Sequence, residues 1–239
     1  MTGRPGRREV FPDTVSIVER WLDEGELDEV RRHVMQAYAR PLLVYFLGTR
    51  MRWLAERVDS PEEIVDGFFA SRLERPDFFA RWRESGKKLR HWLRISFANH
   101  YLMEVAERLR RERVHEPGEM PDLEPAADGS EGPERAMERE FGRSLVLRAR
   151  DAAAEACREK GLDDHWEIFL RVKVDGIGYG EVADELGVDI VRVRRMLRTA
   201  KDLFRDKLLE QVRADFPAGC VGDAELAEEI VKLRRAIGD

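Results

Sequence analysis

The chain has 239 residues, 43% of them hydrophobic and 38% charged, and a net charge of −6. That length suits one or two domains with real cores, and no apolar run approaches the roughly 20 residues of a membrane span. Two cysteines without ligand spacing and five scattered histidines give no close ligand pairs. We therefore expect a cytoplasmic protein with reduced thiols, no metal site and no cofactor.

In chain order, residues 1–12 read as a loose basic tail, and Thr14 to Asp23 as a short helix with Val15, Ile17, Val18, Trp21 and Leu22 apolar. Glu26 to Val58 is strongly helical in composition. Pro41 is expected to break or kink it, because proline lacks a backbone donor and disfavours helix in the residue before it. Ser60-Pro61-Glu62-Glu63 marks a helix start, with a serine cap, proline at the first position and a carboxylate soon after. That helix is expected to reach about Leu73, and another to run from Pro76 to about Arg83. A third runs from Lys88 to about Arg113, with Leu89, Trp92, Leu93, Phe97, Tyr101 and Val105 facing a core. These elements make a helical domain over residues 14–113.

Residues 114–133 crowd prolines, glycines and acids together and carry few large apolar side chains, the composition of a flexible acidic linker. A second helical domain is expected over residues 134–216, followed by a tail at 217–239. The tail helix, Asp223 to Ala236, carries Leu226, Ile230 and Leu233 on one narrow stripe. No strand pattern or internal repeat is present, so the fold class is all-α: two small helical domains joined by an acidic linker.

Gly176 to Phe204 is the most informative stretch. Tyr179, Val182, Ala183 and Leu186 give a short helix its buried face. Gly187 suits a positive-φ helix end, and Asp189 suits the cap of the next helix. That second helix puts Ile190, Val193, Leu197, Ala200 and Phe204 on one side. Arg192, Arg194, Arg195, Arg198, Lys201 and Arg205 fall mostly on the other. This is the pattern of a helix-turn-helix, whose second helix would enter a major groove lined by phosphates and guanine edges. Sequence leaves open whether Arg192, Arg195 and Arg198 meet base edges or phosphates.

A second basic stretch, Gly86 to Arg113, holds Lys87, Lys88, Arg90, Arg94, Arg108, Arg110, Arg111 and Arg113 against Glu104, Glu107 and Glu112. Cations interleaved with Trp92, Phe97 and Tyr101 are a recipe for single-stranded DNA, although Trp92 and Phe97 read better as core. No enzyme is expected. Adjacent acids such as Glu62 and Glu63 point about 100° apart on a helix and do not converge, and no phosphate loop or activated nucleophile is visible.

This order of elements resembles bacterial sigma factors of the sigma-70 family, most closely the extracytoplasmic function (ECF) group, over nearly the whole chain. SPEEIVDGFFASRL, residues 60–73, sits where that family has its core-polymerase-binding helix. Glu63, Ile64, Val65, Asp66 and Phe69 occupy the motif places, with Asp66 for the usual Gln and Gly67 for the usual acid. KKLRHWLRISFANHYLMEVAERLRR looks like the helix that melts and reads the −10 element. Trp92, Leu93 and Asn99 fit it, while the Asp and Arg that commonly follow Asn99 are absent. The second domain is similar to the −35-reading domain. FPDT at residues 11–14 and the tail resemble a subgroup of long ECF-like factors.

The resemblance implies promoter DNA contacts at Lys87, Lys88, Arg90, Asn99, His100 and Tyr101, besides those of the recognition helix. It implies polymerase contacts at Glu62, Glu63, Asp66 and Phe69. The implied partners are core RNA polymerase, promoter DNA and an anti-sigma factor or other regulator. The competing reading is a stand-alone helix-turn-helix regulator whose first domain senses a ligand or partner.

Overall fold

A computed structural model describes residues 16–75, 77–113, 132–219 and 221–238. The expectations for the basic tail, FPDT at 11–14, Pro76, Cys220 and the linker at 114–131 fall outside these residues. Every regular element among them is helical: α1 Ile17–Glu24, α2 Leu27–Gly48, a 3-10 segment Arg50–Arg57, α3 Pro61–Arg72, α4 Phe78–Ser85, α5 Leu89–Ser96, a π-helical turn Phe97–Leu102, α6 Met103–Arg113, α7 Pro133–Glu159, α8 Asp163–Lys173, α9 Tyr179–Leu186, α10 Ile190–Arg213 and α11 Asp223–Gly238. No helix among the described residues is long and apolar enough to cross a membrane.

The chain forms two compact units, Met1–Gly142 with Arg213–Asp239, and Arg143–Val212. Their boundaries differ from the domains read from sequence, because the start of α7 and all that follows α10 pack into the first unit. Phe141 stacks on Tyr38 with ring centroids 5.4 Å apart. Leu226 and Leu233 of α11 are buried. At Gly142 a Cβ would meet Ile237 at 2.9 Å, so the close approach of α11 to α7 needs glycine there.

Pro41 neither breaks nor ends its helix, since α2 runs through it. The missing donor costs about 3 kcal/mol in a helix interior. Val34, Tyr38, Leu42 and Phe46, all buried along α2, offset it, because tertiary burial overrides propensity. Ser60 sits at the N-cap of α3 in an extended conformation with Pro61 following. Its side chain makes no cap hydrogen bond, and its carbonyl accepts from Glu63 N at 3.1 Å.

An ionic cluster built on Arg90 holds the first unit together. Arg90 is 3% exposed and Asp215 fully buried. The Arg90 guanidinium donates to Asp215 and Glu229, and its Nε donates to both Glu138 oxygens at 3.0 Å. Asp215 also accepts from Tyr38 Oη at 2.9 Å and from Arg90 N at 2.8 Å, while its carbonyl accepts from Leu89 N at 2.6 Å. Lys88 donates to Glu229, and His91 Nε2 lies 3.0 Å from Glu138. The Phe141 ring covers the guanidinium, 5.0 Å from its centroid. A second clasp ties the segment after α10 to α1 and α4: Glu19 takes Arg83 at 2.5 Å and accepts from the Ala218 amide at 2.9 Å.

Burial works to discharge Arg90, and the surrounding carboxylates outweigh it, holding the guanidinium above its ordinary pKa. Burial also pushes the Asp215 carboxyl up, against the pull of Arg90. At Glu138 burial raises the pKa, but the His91 hydrogen bond and the Arg90 charge prevail and bring it to about 2. A depressed carboxylate stabilises the fold above its unfolded pKa and loses that contribution as pH falls through the folded value. The stability difference between the wild type and Glu138→Gln, followed by urea unfolding, should therefore shrink as pH falls from 4.5 to about 2. Removing one partner of a buried pair strands the other, so Asp215→Ala should cost about 3–5 kcal/mol. Deleting 218–239 should likewise lower the melting temperature.

Candidate nucleic-acid interface

The second unit holds its core between α8, α9 and α10. Ile168, Phe169, Val182, Ala183, Val193, Met196, Leu197 and Ala200 are buried together, with Tyr179, Val188 and Phe204 packed on them. The turn from α9 to α10 has the chemistry its sequence requires. Gly187 closes α9 at φ 63°, its amide bonding back to Ala183 and Asp184 carbonyls. Asp189 caps α10, its Oδ1 accepting from Arg192 N at 2.8 Å. Arg171 of α8 pairs with Glu185 of α9.

Burial of Val193, Met196, Leu197 and Ala200 fixes which side of α10 faces outward. Arg192, Arg194, Arg195, Arg198 and Lys201 are all exposed, and none makes an ion pair with another described residue. Arg194 rests over the Tyr179 ring at 5.8 Å. Acids close in further along α10, at Arg205, with Asp206 at 3.6 Å and Asp202 at 3.9 Å, and at Lys207, with Glu210 at 2.9 Å. Exposed, unpaired and closely spaced guanidiniums repel one another, and such a surface is satisfied by polyanions.

The basic stretch of the first unit is different. Lys87 and Asn99 are exposed. Arg90 is not available to DNA, because the buried cluster consumes it, and Lys88 is bound to Glu229 beside it. Trp92 is half-buried against Phe78 at 5.9 Å, and Phe97 is fully buried. His100 and Tyr101 belong to the π-helical turn. Tyr101 stacks on Phe97 at 6.1 Å and meets Phe68 edge-on at 5.8 Å, leaving it half-buried; burial raises its pKa.

On α3, Glu62, Glu63 and Asp66 are exposed and carry no ion pair with a described residue. Phe69 does not join them, being 2% exposed and packed beside Phe68 at 5.6 Å. Both aromatics turn inward: Phe68 packs against Phe97 and Tyr101, and Phe69 packs beside Phe68. Val191 escaped the sequence reading although it lies four residues before Arg195, a spacing that places both on one helix face. Scans against family models, curated proteins and solved structures find nothing that matches this chain.

Gly67 explains one departure in α3. A Cβ there would collide with the Tyr101 hydroxyl, so the small residue makes the seat for Tyr101. Gly→Ala in a helix interior ordinarily stabilises by about 1 kcal/mol. Here Gly67→Ala should destabilise the chain in thermal unfolding, and the same change made with Tyr101→Phe should recover much of that loss.

Proposed function

We propose that this chain is a transcription initiation factor of the sigma type, which binds core RNA polymerase and directs it to promoters. Helices α9 and α10 act as a helix-turn-helix on duplex DNA, and the two compact units act as its two domains. The observation that carries the reading is the outward face of α10, where five cations stand exposed without acidic partners among the described residues on a helix that follows a tight turn and an aspartate cap. Docked helices of this kind place their first turns against base edges.

The exposed acids of α3 support the second half of the proposal. Glu62, Glu63 and Asp66 offer a negative strip to a basic partner surface. A protein that works with polymerase works in the cytoplasm and needs no chemistry of its own. The stand-alone regulator is favoured by one observation: Lys88 and Arg90 serve the fold, which leaves α10 as the stronger DNA surface.

Co-elution with bacterial core RNA polymerase separates the two readings. The full chain should elute with the core enzyme and support promoter-dependent run-off transcription. Reversing Glu63 and Asp66 to lysine should weaken the complex at least about tenfold, or roughly 1.4 kcal/mol, with helical circular dichroism unchanged. Duplex binding without any polymerase complex would establish the stand-alone regulator instead.

A further inference from the structure

The outward face of α10 is not purely cationic. Val191, 69% exposed, is the most exposed of the large hydrophobic residues on the described surface. It stands in the first turn, directly after Ile190, which is 38% exposed. At 100° per residue, Val191, Arg195 and Arg198 fall along the middle of the face opposite buried Val193, Met196, Leu197 and Ala200. Arg192 lies to one side of this line and Lys201 to the other. The helix thus offers a line of one isopropyl group and two guanidiniums, flanked by cations.

We infer that Val191 is a specificity-determining residue that reads the C5-methyl of a thymine in the major groove. The inference rests on the duplex-binding reading of α10 given above. In that groove guanine offers acceptors to arginine, and the thymine methyl is the apolar feature among the four bases. Valine is too short to reach past a phosphate and has no group to bond one, so its place in the line has no use in purely electrostatic binding. A residue at 69% exposure contributes nothing to the core of its own unit either.

The spacing makes the inference specific. Four helical residues rise about 6 Å, and successive base pairs rise about 3.4 Å. The thymine read by Val191 therefore lies within about two base pairs of the base that Arg195 reaches. The expected site carries a thymine close to a guanine, with the thymine at the position met by the start of α10.

The test uses the full chain and a duplex recovered from a random-sequence pool by repeated selection on it. Each thymine of that duplex is replaced in turn by deoxyuridine, which removes only the methyl group, and affinity is read by fluorescence anisotropy. Wild type should lose roughly fourfold at a single position, the order of one buried methyl. Val191→Ala should bind the thymine duplex more weakly and show no discrimination at that position, with an unchanged melting temperature. A thymine methyl effect that survives in Val191→Ala, or no methyl effect at any position, overturns the inference while leaving duplex binding intact. Failure of the pool to yield any preferred sequence removes the reading of α10 on which the inference stands.

Discussion

Arg90 is the constraint on which the first unit depends. A guanidinium removed from water must be met by charge and by hydrogen bonds, and three carboxylates from three separate segments meet it. Glu138 comes from the start of α7, Asp215 from the turn after α10, and Glu229 from α11. Asp215 and Glu229 are committed in return, since losing the arginine would strand them in a nearly dry site, whereas Glu138 is partly exposed and also meets His91. The cluster fixes where these segments lie, while Phe141 on Tyr38 and the close passage of α11 past Gly142 fill the apolar space around it. The C-terminal helix is therefore part of the core of the first unit. An apolar stripe of Leu226 and Leu233 explains why it docks, and Glu229 explains in which register.

Much of this architecture could be read from local chemistry. Gly187 and Asp189 mark the turn before α10 because positive φ and N-capping are properties of single residues, and both occur as expected. The start of α3 likewise follows from Pro61 at its first position, although the Ser60 side chain makes no cap hydrogen bond. What escaped the sequence is what depends on distant partners. Pro41 signals a break to any local rule, yet the buried residues of α2 carry the helix through it. Arg90 sits among lysines and arginines and has the composition of a nucleic-acid contact. Its burial is set by Asp215 and Glu229, more than a hundred residues away. The resemblance implies Phe69 as a polymerase contact, yet it is buried beside Phe68, which in turn packs on Phe97.

Cations of the two units differ in what meets them. Arg72, Arg83, Arg90 and Lys88 are tied to acids within the first unit. Arg192, Arg194, Arg195, Arg198 and Lys201 of α10 have no such partners among the described residues, although the chain carries an excess of acid overall. Five exposed cations without an acid beside them among the described residues give the start of α10 a local positive field in an acidic protein.

The salt dependence of duplex binding tests this separation most directly. Affinity of the full chain for duplex DNA should fall linearly with salt on logarithmic axes, since each phosphate neutralised releases counterions. Replacing Arg192 and Lys201 together by alanine should reduce that slope by about 2 and leave the fold unchanged. A full chain with no duplex affinity at low salt, or a slope untouched by the double replacement, would contradict the assignment of this face to DNA.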